Sequence, residues 1–238
     1  EPSEIDDGSP KPNAFNIKGK SAHIQTFIGL LNRTTGNTYA YDADTKTIIR
    51  TSTTLNTITD ATKSAYLSQL IEDVITGNKK FFECKIVNND SEVLFDGFNT
   101  TEIDIADLQK APDNAFLAGL LVHLIEERIA VPNGGYREDS KKKDYNVYFA
   151  AHNIALQKEA EVVAAMLGLS GVTKRIDATD REPNIGNPVK ETITYTYGTT
   201  KYEFKISYDV IVNMEATRPQ DRIKYVNKGV ITGSIIKK

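Results

Sequence analysis

Three residues within five positions, His123, Glu126 and Glu127, carry the side chains of this 238-residue chain best suited to chemistry. On a helix, residues four apart share a face with Cβ atoms about 6 Å apart, so His123 and Glu127 can grip one cation together. Glu126, one position nearer, can polarise a water as a general base. A second set, His152 and Glu159, lies seven residues apart, two turns along one helix face, and can supply the third ligand. Imidazole and carboxylate together suit zinc or iron. His23, the remaining histidine, falls in the first turn of an early helix and reads as surface.

The setting of these groups sharpens the question. Residues 116–130, FLAGLLVHLIEERIA, hold the longest nearly unbroken apolar run, so most of that helix must be buried. Burying a histidine, two glutamates and Arg128 is costly unless they are paired or bound to a cation. Two readings follow. In one, His123 and Glu127 with His152 or Glu159 hold a metal. In the other, His123 is a neutral core histidine donating to Glu127 or Glu159, Arg128 neutralises a neighbouring carboxylate, Glu126 faces solvent, and His152 caps a polar contact between helices.

The HxxEE string resembles the zinc-peptidase motifs HExxH and, more closely, the inverted HxxEH, in which two helical ligands flank a glutamate base. In the inverted form His123 is the first ligand, Glu126 the base, and Glu127 stands where the second histidine belongs. Against HExxH, Leu124 occupies the glutamate position and Glu127 the second histidine, so hydrolysis by that scheme is excluded. The order of mixed helices and strands followed by two active-site helices is similar to small metallopeptidase domains of bacterial polymorphic toxins, over residues 113–168. That resemblance implies a degenerate zincin-like domain, with zinc as its metal and a ligand from the following helix.

Composition limits the alternatives. A net charge of −3 and a pI near 5.7 offer no basic face for nucleic acid or an anionic membrane. No run reaches the roughly 18 apolar residues that span a bilayer, so no membrane span is expected. Cys84 is the single cysteine, which rules out an intrachain disulfide, and its apolar strand setting marks it as a small buried hydrophobe. The chain opens on Glu1 rather than methionine, as either a processed mature chain or a piece cut from a longer one does, and of the possible settings an extracytoplasmic or secreted one is the expectation.

The elements that must position the site follow from periodicity. Residues 1–14 read as a flexible leader, residues 15–171 as an α+β core domain, and residues 172–238 as a β-rich region packed on it. In the core, Ser21 is placed to cap a first helix with Ile24, Phe27, Ile28 and Leu31 on one stripe, and Gly36 to end it. Two strands, 38–41 and 47–52, flank the turn at Asp42. Its DADTKT sequence lacks the oxygen ligand and glycine of a calcium loop, so turn chemistry accounts for it. A second helix carries Leu67, Leu70, Ile71 and Val74 and ends at Gly77. Alternation at Phe82, Cys84 and Ile86, then Val93 and Phe95, predicts a second hairpin. Pro112 and Asp113 open the central helix, paired helices are expected over 113–131 and 148–168, and a solvated loop with Lys141 to Lys143 joins them. Ile193, Tyr195 and Tyr197 alternate with Thr and are followed by Tyr202, Phe204, Ile206, Tyr208 and Val210, a hairpin turning at Gly198. The fold class is α+β: antiparallel hairpins, two long packed helices in the middle and a C-terminal β-hairpin region.

Two functions fit this reading. One is a zincin-like domain with lost or altered peptidase activity, acting as a binding or structural module for a protein or peptide partner. The other is a metal-dependent hydrolase built on the HxxEE motif.

Overall fold

The computed structural model describes residues 15–52, 60–77, 82–97, 101–130, 145–169, 172–179, 188–197, 200–212, 223–229 and 232–237. The expected leader, the Lys141 to Lys143 loop and the turn at Gly198 lie outside these residues. The described chain is α+β, with two five-stranded sheets and a pair of long helices.

The first sheet has the order β2-β3-β1-β4-β5, built from β1 (Phe15–Gly19), β2 (Thr38–Asp42), β3 (Thr47–Ser52), β4 (Phe82–Val87) and β5 (Glu102–Asp104). The β2–β3 hairpin forms as its alternation predicts, and the Asp42 carboxylate accepts the Asp44 and Thr45 amides at 2.9 and 3.4 Å, closing the turn. The expected second hairpin does not form. β4 instead pairs in parallel with β1 on one side and β5 on the other, and Val93 and Phe95 lie in an irregular segment where Phe95 has φ 64°. Alternation set which β4 side chains are buried but carried no information about its partners. The first sheet is therefore mixed rather than antiparallel.

Two helices pack near this sheet. α1 (Ser21–Thr34) buries Ile24, Phe27, Ile28 and Leu31. Lys20, not Ser21, occupies its cap position and makes no side-chain cap, and the chain leaves through Thr35 in extended conformation, so Gly36 is not a left-handed terminator. α2 (Ala65–Ile75) is capped by Ser64, whose hydroxyl accepts the Leu67 amide, and Gly77 follows at φ 82°, where glycine avoids a Cβ clash. Between α1, α2 and the sheet, Glu72 is held by Arg50 at 2.5 Å and Asn37 at 3.0 Å.

The short α3 (Ile105–Leu108) leads to α4 (Asn114–Ile129), which Asp113 caps through the Phe116 amide at 2.9 Å. Every residue from Ala115 to Arg128 is buried, because α1, α2 and β4 touch α4 and α5 (Tyr145–Leu167) lies along it. Both long helices were expected, although α4 stops at Ile129 and α5 begins at Tyr145. A helix buried all round needs no polar face. Each Leu or Phe it removes from water contributes roughly 1.5–3 kcal/mol.

The second sheet runs β10-β8-β7-β6, with β9 also paired to β8: β6 (Val172–Thr179), β7 (Pro188–Tyr197), β8 (Thr200–Val212), β9 (Ile223–Val226) and β10 (Thr232–Lys237), antiparallel throughout. Its inward residues include Ile193, Tyr195, Tyr197, Tyr202, Phe204 and Tyr208. Phe204 stacks on Phe116 of α4 at 3.8 Å between centroids, and Tyr195 meets Phe116 edge-on at 6.4 Å. A second attachment is ionic. Lys228, beyond β9, reaches Asp104 at 2.8 Å and Asp107 at 2.7 Å and donates to the Asp90 and Val93 carbonyls, while Lys110 bonds Asp107 at 2.9 Å.

Candidate metal centre

α4 turns His123 and Glu127 to one face, four residues apart. What brings α5 within reach of them is Gly119, one turn earlier. A Cβ there would sit 2.7 Å from Val163 Cγ2 and 3.2 Å from Glu159 Cγ, so only hydrogen lets the helices approach this closely. Ala151, Ala155 and Ala160 keep the facing side of α5 equally low. The helix pair thus places His152 and Glu159 against His123 and Glu127.

His152 Nδ1 lies 2.9 Å from Glu127 Oε1, and His123 Nε2 lies 3.8 Å from the same oxygen, an ion-pair distance beyond a hydrogen bond. The two imidazole rings meet edge-on with centroids 5.0 Å apart. One ligand atom from each of His123, Glu127 and His152 falls within 4.8 Å of the others, so the three could hold a metal ion. Tetrahedral zinc with bonds near 2.0–2.1 Å needs ligand atoms about 3.3 Å apart, a contraction within reach of small side-chain rotations. His123 and Glu127 are buried, whereas the His152 side chain is 27% exposed.

Glu159 does not join that group. One of its oxygens accepts the Tyr195 hydroxyl, and the other accepts His123 Nδ1 at 2.8 Å and Arg175 Nη1. An ionised carboxylate only accepts, so Nδ1 of His123 carries the proton and Nε2 is directed to the Glu127 side. A carboxylate behind the imidazole is the usual support for a metal-bound histidine, and Glu159 takes that place rather than a ligand position.

Glu126 points elsewhere. Its carboxylate accepts the Tyr66 hydroxyl of α2 at 2.5 Å, and Lys158 lies 5.6 Å over the Tyr66 ring. Three residues from His123, Glu126 starts beside that face, and the Tyr66 contact holds its carboxylate apart from the His123, Glu127 and His152 group. Arg128 pairs with Asp96 at 3.0 Å and donates to the Leu124 carbonyl at 2.9 Å, so its nearest carboxylate is Asp96. His23 is half-buried on α1 and outside the group. Cys84 is fully buried, and burial pushes its thiol up to about 12, leaving it unreactive at neutral pH.

The charges of the centre lean negative. Burial disfavours charge on His123, yet Glu127 and Glu159 outweigh it and raise the imidazole to about 9. Burial likewise opposes the charge on Glu127, but His123 and His152 hold its carboxyl down to about 2. Glu159 is held to about 2 against its burial by the charge of Arg175 and by His123. Among the described residues, with neutral imidazoles, the Glu127 and Glu159 carboxylates face the Arg175 guanidinium, leaving one negative charge in excess. A proton on His123 cancels that excess, and a divalent cation would turn it to one positive charge.

Arg175 and Tyr195 escaped the sequence analysis, which read the hairpin tyrosines as packing. The signal for Tyr195 was present, since an inward tyrosine must find an acceptor for its hydroxyl. Arg175 had none, because its strand alternates no more clearly than a loop. No family model, curated protein or solved structure matches the chain. Among the described residues, no helix is long and apolar enough to cross a membrane.

Proposed function

We propose that this chain is a zincin-like metal-binding module in which His123 Nε2, Glu127 and one nitrogen of His152 hold zinc, and that it binds a protein or peptide partner rather than cleaving it. The observation that carries the reading is the convergence within 4.8 Å of three ligand atoms, two from buried residues and one from the partly exposed His152. Two imidazoles and a carboxylate form a borderline donor set that zinc favours, and three protein ligands leave a fourth position for water or a partner's carbonyl or carboxylate. The non-catalytic half of the reading rests on Glu126. A general base must reach the bound water, and Glu126 is engaged by Tyr66.

A second reading, a metal-dependent hydrolase, draws on the same open position, since an exchangeable fourth site is the mark of catalytic zinc. It requires Glu126 or another carboxylate to act on the zinc-bound water. Elemental analysis of protein purified without chelator separates the readings. The proposal expects near one equivalent of zinc, lost in His123→Ala, with no cleavage of a casein or peptide-library substrate. Metal-free protein indifferent to chelator removes the metal centre. Cleavage abolished by Glu126→Gln replaces the binding reading with the hydrolase.

A further inference from the structure

The Glu159 carboxylate is contacted from three directions by three parts of the chain. His123 of α4 approaches through Nδ1, Arg175 of β6 through its guanidinium, and Tyr195 of β7 through its hydroxyl. Glu159 itself is wholly buried on α5, and the Arg175 side chain is only 8% exposed. Nothing in the metal geometry requires the second sheet, because the three candidate ligands sit on two adjacent helices. Yet the group that fixes the tautomer and tilt of His123 is itself fixed by that sheet.

We infer that Glu159, Arg175 and Tyr195 form a positioning relay through which docking of the second sheet sets the metal affinity of the centre, and through which metal in turn tightens the docked sheet. The inference rests on the metal-binding reading above. The physical steps are short. A neutral histidine binds metal through the nitrogen lacking hydrogen, and the Nδ1–H donated to Glu159 leaves Nε2 as that nitrogen. A carboxylate behind the ring also makes Nε2 a stronger donor. Glu159 can hold that orientation only while its own two oxygens are anchored, and both anchors other than His123 come from β6 and β7. If the sheet lifts, the buried carboxylate loses its guanidinium and its phenol together, and the histidine loses a fixed partner. Coupling between two equilibria is reciprocal, so whatever the sheet adds to metal binding, metal adds to sheet docking.

Gly119 belongs to the same device. Its missing Cβ is what lets Glu159 lie close against α4. The relay therefore depends on helix approach as well as on strand docking, and the two converge on a single side chain.

The test uses the full chain, zinc as the affinity probe and cobalt as the spectroscopic one. Tyr195→Phe deletes one hydrogen bond to Glu159 and keeps the ring that packs on Phe116. Glu159→Gln removes the charge. The relay predicts roughly 10- to 100-fold weaker zinc binding in each, the range typical of lost outer partners, with the cobalt absorption bands unchanged because the ligands are unchanged. It also predicts that zinc slows amide exchange in β6 and β7 of the parent chain but not of Glu159→Gln. Zinc affinity equal to the parent in Tyr195→Phe, or zinc protection of β6 and β7 that persists in Glu159→Gln, overturns the relay while leaving the metal centre standing. If Glu159→Gln does not fold, Tyr195→Phe decides the affinity question alone. A parent chain that binds no zinc, or binds it equally in His123→Ala, overturns the relay together with the metal-binding reading, and that result is distinct from the first.

Discussion

Two buried polar clusters tie the second sheet to the rest of the molecule, and they differ in how their charges end. At Lys228, two ammonium groups (Lys228, Lys110) face two carboxylates (Asp104, Asp107), and both carboxylates also accept backbone amides: Asp104 from Asn89, Asp90 and Ala106, and Asp107 from Phe95. Its charges cancel among the described residues. At His123, among the described residues, the Glu127 and Glu159 carboxylates face the Arg175 guanidinium and two imidazoles. The first cluster balances its charges with ammonium groups; the second carries an excess of carboxylate over guanidinium among the described residues, which a proton on His123 offsets and which the proposed metal would also offset. Burial alone therefore does not mark a functional site, and the charge balance is what separates the two clusters.

The contrast is broken most forcefully at its closed end. Lys228→Met leaves Asp104 and Asp107 buried beside a single lysine, and a loss of about 3–5 kcal/mol in urea unfolding is expected, unaffected by zinc or chelator. A neutral result would show that the cluster is not a clamp. The open end should respond in the opposite way. Zinc at a hundred times its dissociation constant should stabilise the parent chain by about 2.7 kcal/mol, and His123→Ala should abolish that gain while losing bound metal. Scanning calorimetry with and without zinc reads both, and a zinc gain that survives in His123→Ala would place the metal elsewhere.

How far these clusters were legible in sequence follows from how local their parts are. His123 and Glu127 share a turn, and His152 lies on the second of the two helices expected from the sequence, so the meeting of these three side chains could be anticipated before any coordinates. Glu126 shows the limit: at three residues from His123, periodicity leaves it beside the ligand face, and only the position of Tyr66, sixty residues earlier, decides where its carboxylate turns. Arg175 and Tyr195 reach Glu159 across 16 and 36 residues through a sheet whose docking no local pattern encodes. The Lys228 clamp spans 121 and 124 residues and left no trace. The fold divides in the same way. The cap at Asp113 and the apolar stripes gave the helices, whereas the Ser64 cap was not singled out and β4 found parallel partners that alternation cannot specify. Gly36 and Ser21 were misread because residue type suggests a cap but backbone geometry decides it.

Proton linkage gives a smaller effect that separates the clusters without mutation. His123 is raised from 6.5 to about 9, so its contribution to the metal-free fold is complete below pH 6.5 and is lost as pH rises through about 9. A decline in stability is expected over that range. Glu127 and Glu159 run the other way, contributing above about pH 4.5 and losing that contribution as pH falls toward 2. Zinc displaces the His123 proton, so zinc-loaded protein should not show the alkaline decline, and zinc affinity should rise by up to about tenfold per pH unit between 7 and 9. Urea titrations across this range, with and without zinc, check both statements, and identical pH profiles would remove the proton-for-metal exchange.

The smallest expected effect tests the assignment most exposed to the motif. If HxxEE were an active peptidase string, Glu126 would be its most sensitive position. Its carboxylate is instead held by the Tyr66 hydroxyl, so Tyr66→Phe and Glu126→Gln should each cost only about 1 kcal/mol, the net worth of one hydrogen bond. Zinc affinity should stay within about twofold of the parent chain, because neither residue touches a ligand or Glu159. The double variant should cost little more than either single change, since the two groups share one contact. A zinc affinity that falls tenfold in Glu126→Gln but not in Tyr66→Phe would mean that the carboxylate turns inward when metal is bound. In that case the face of α4 that defines the open cluster would have to include Glu126.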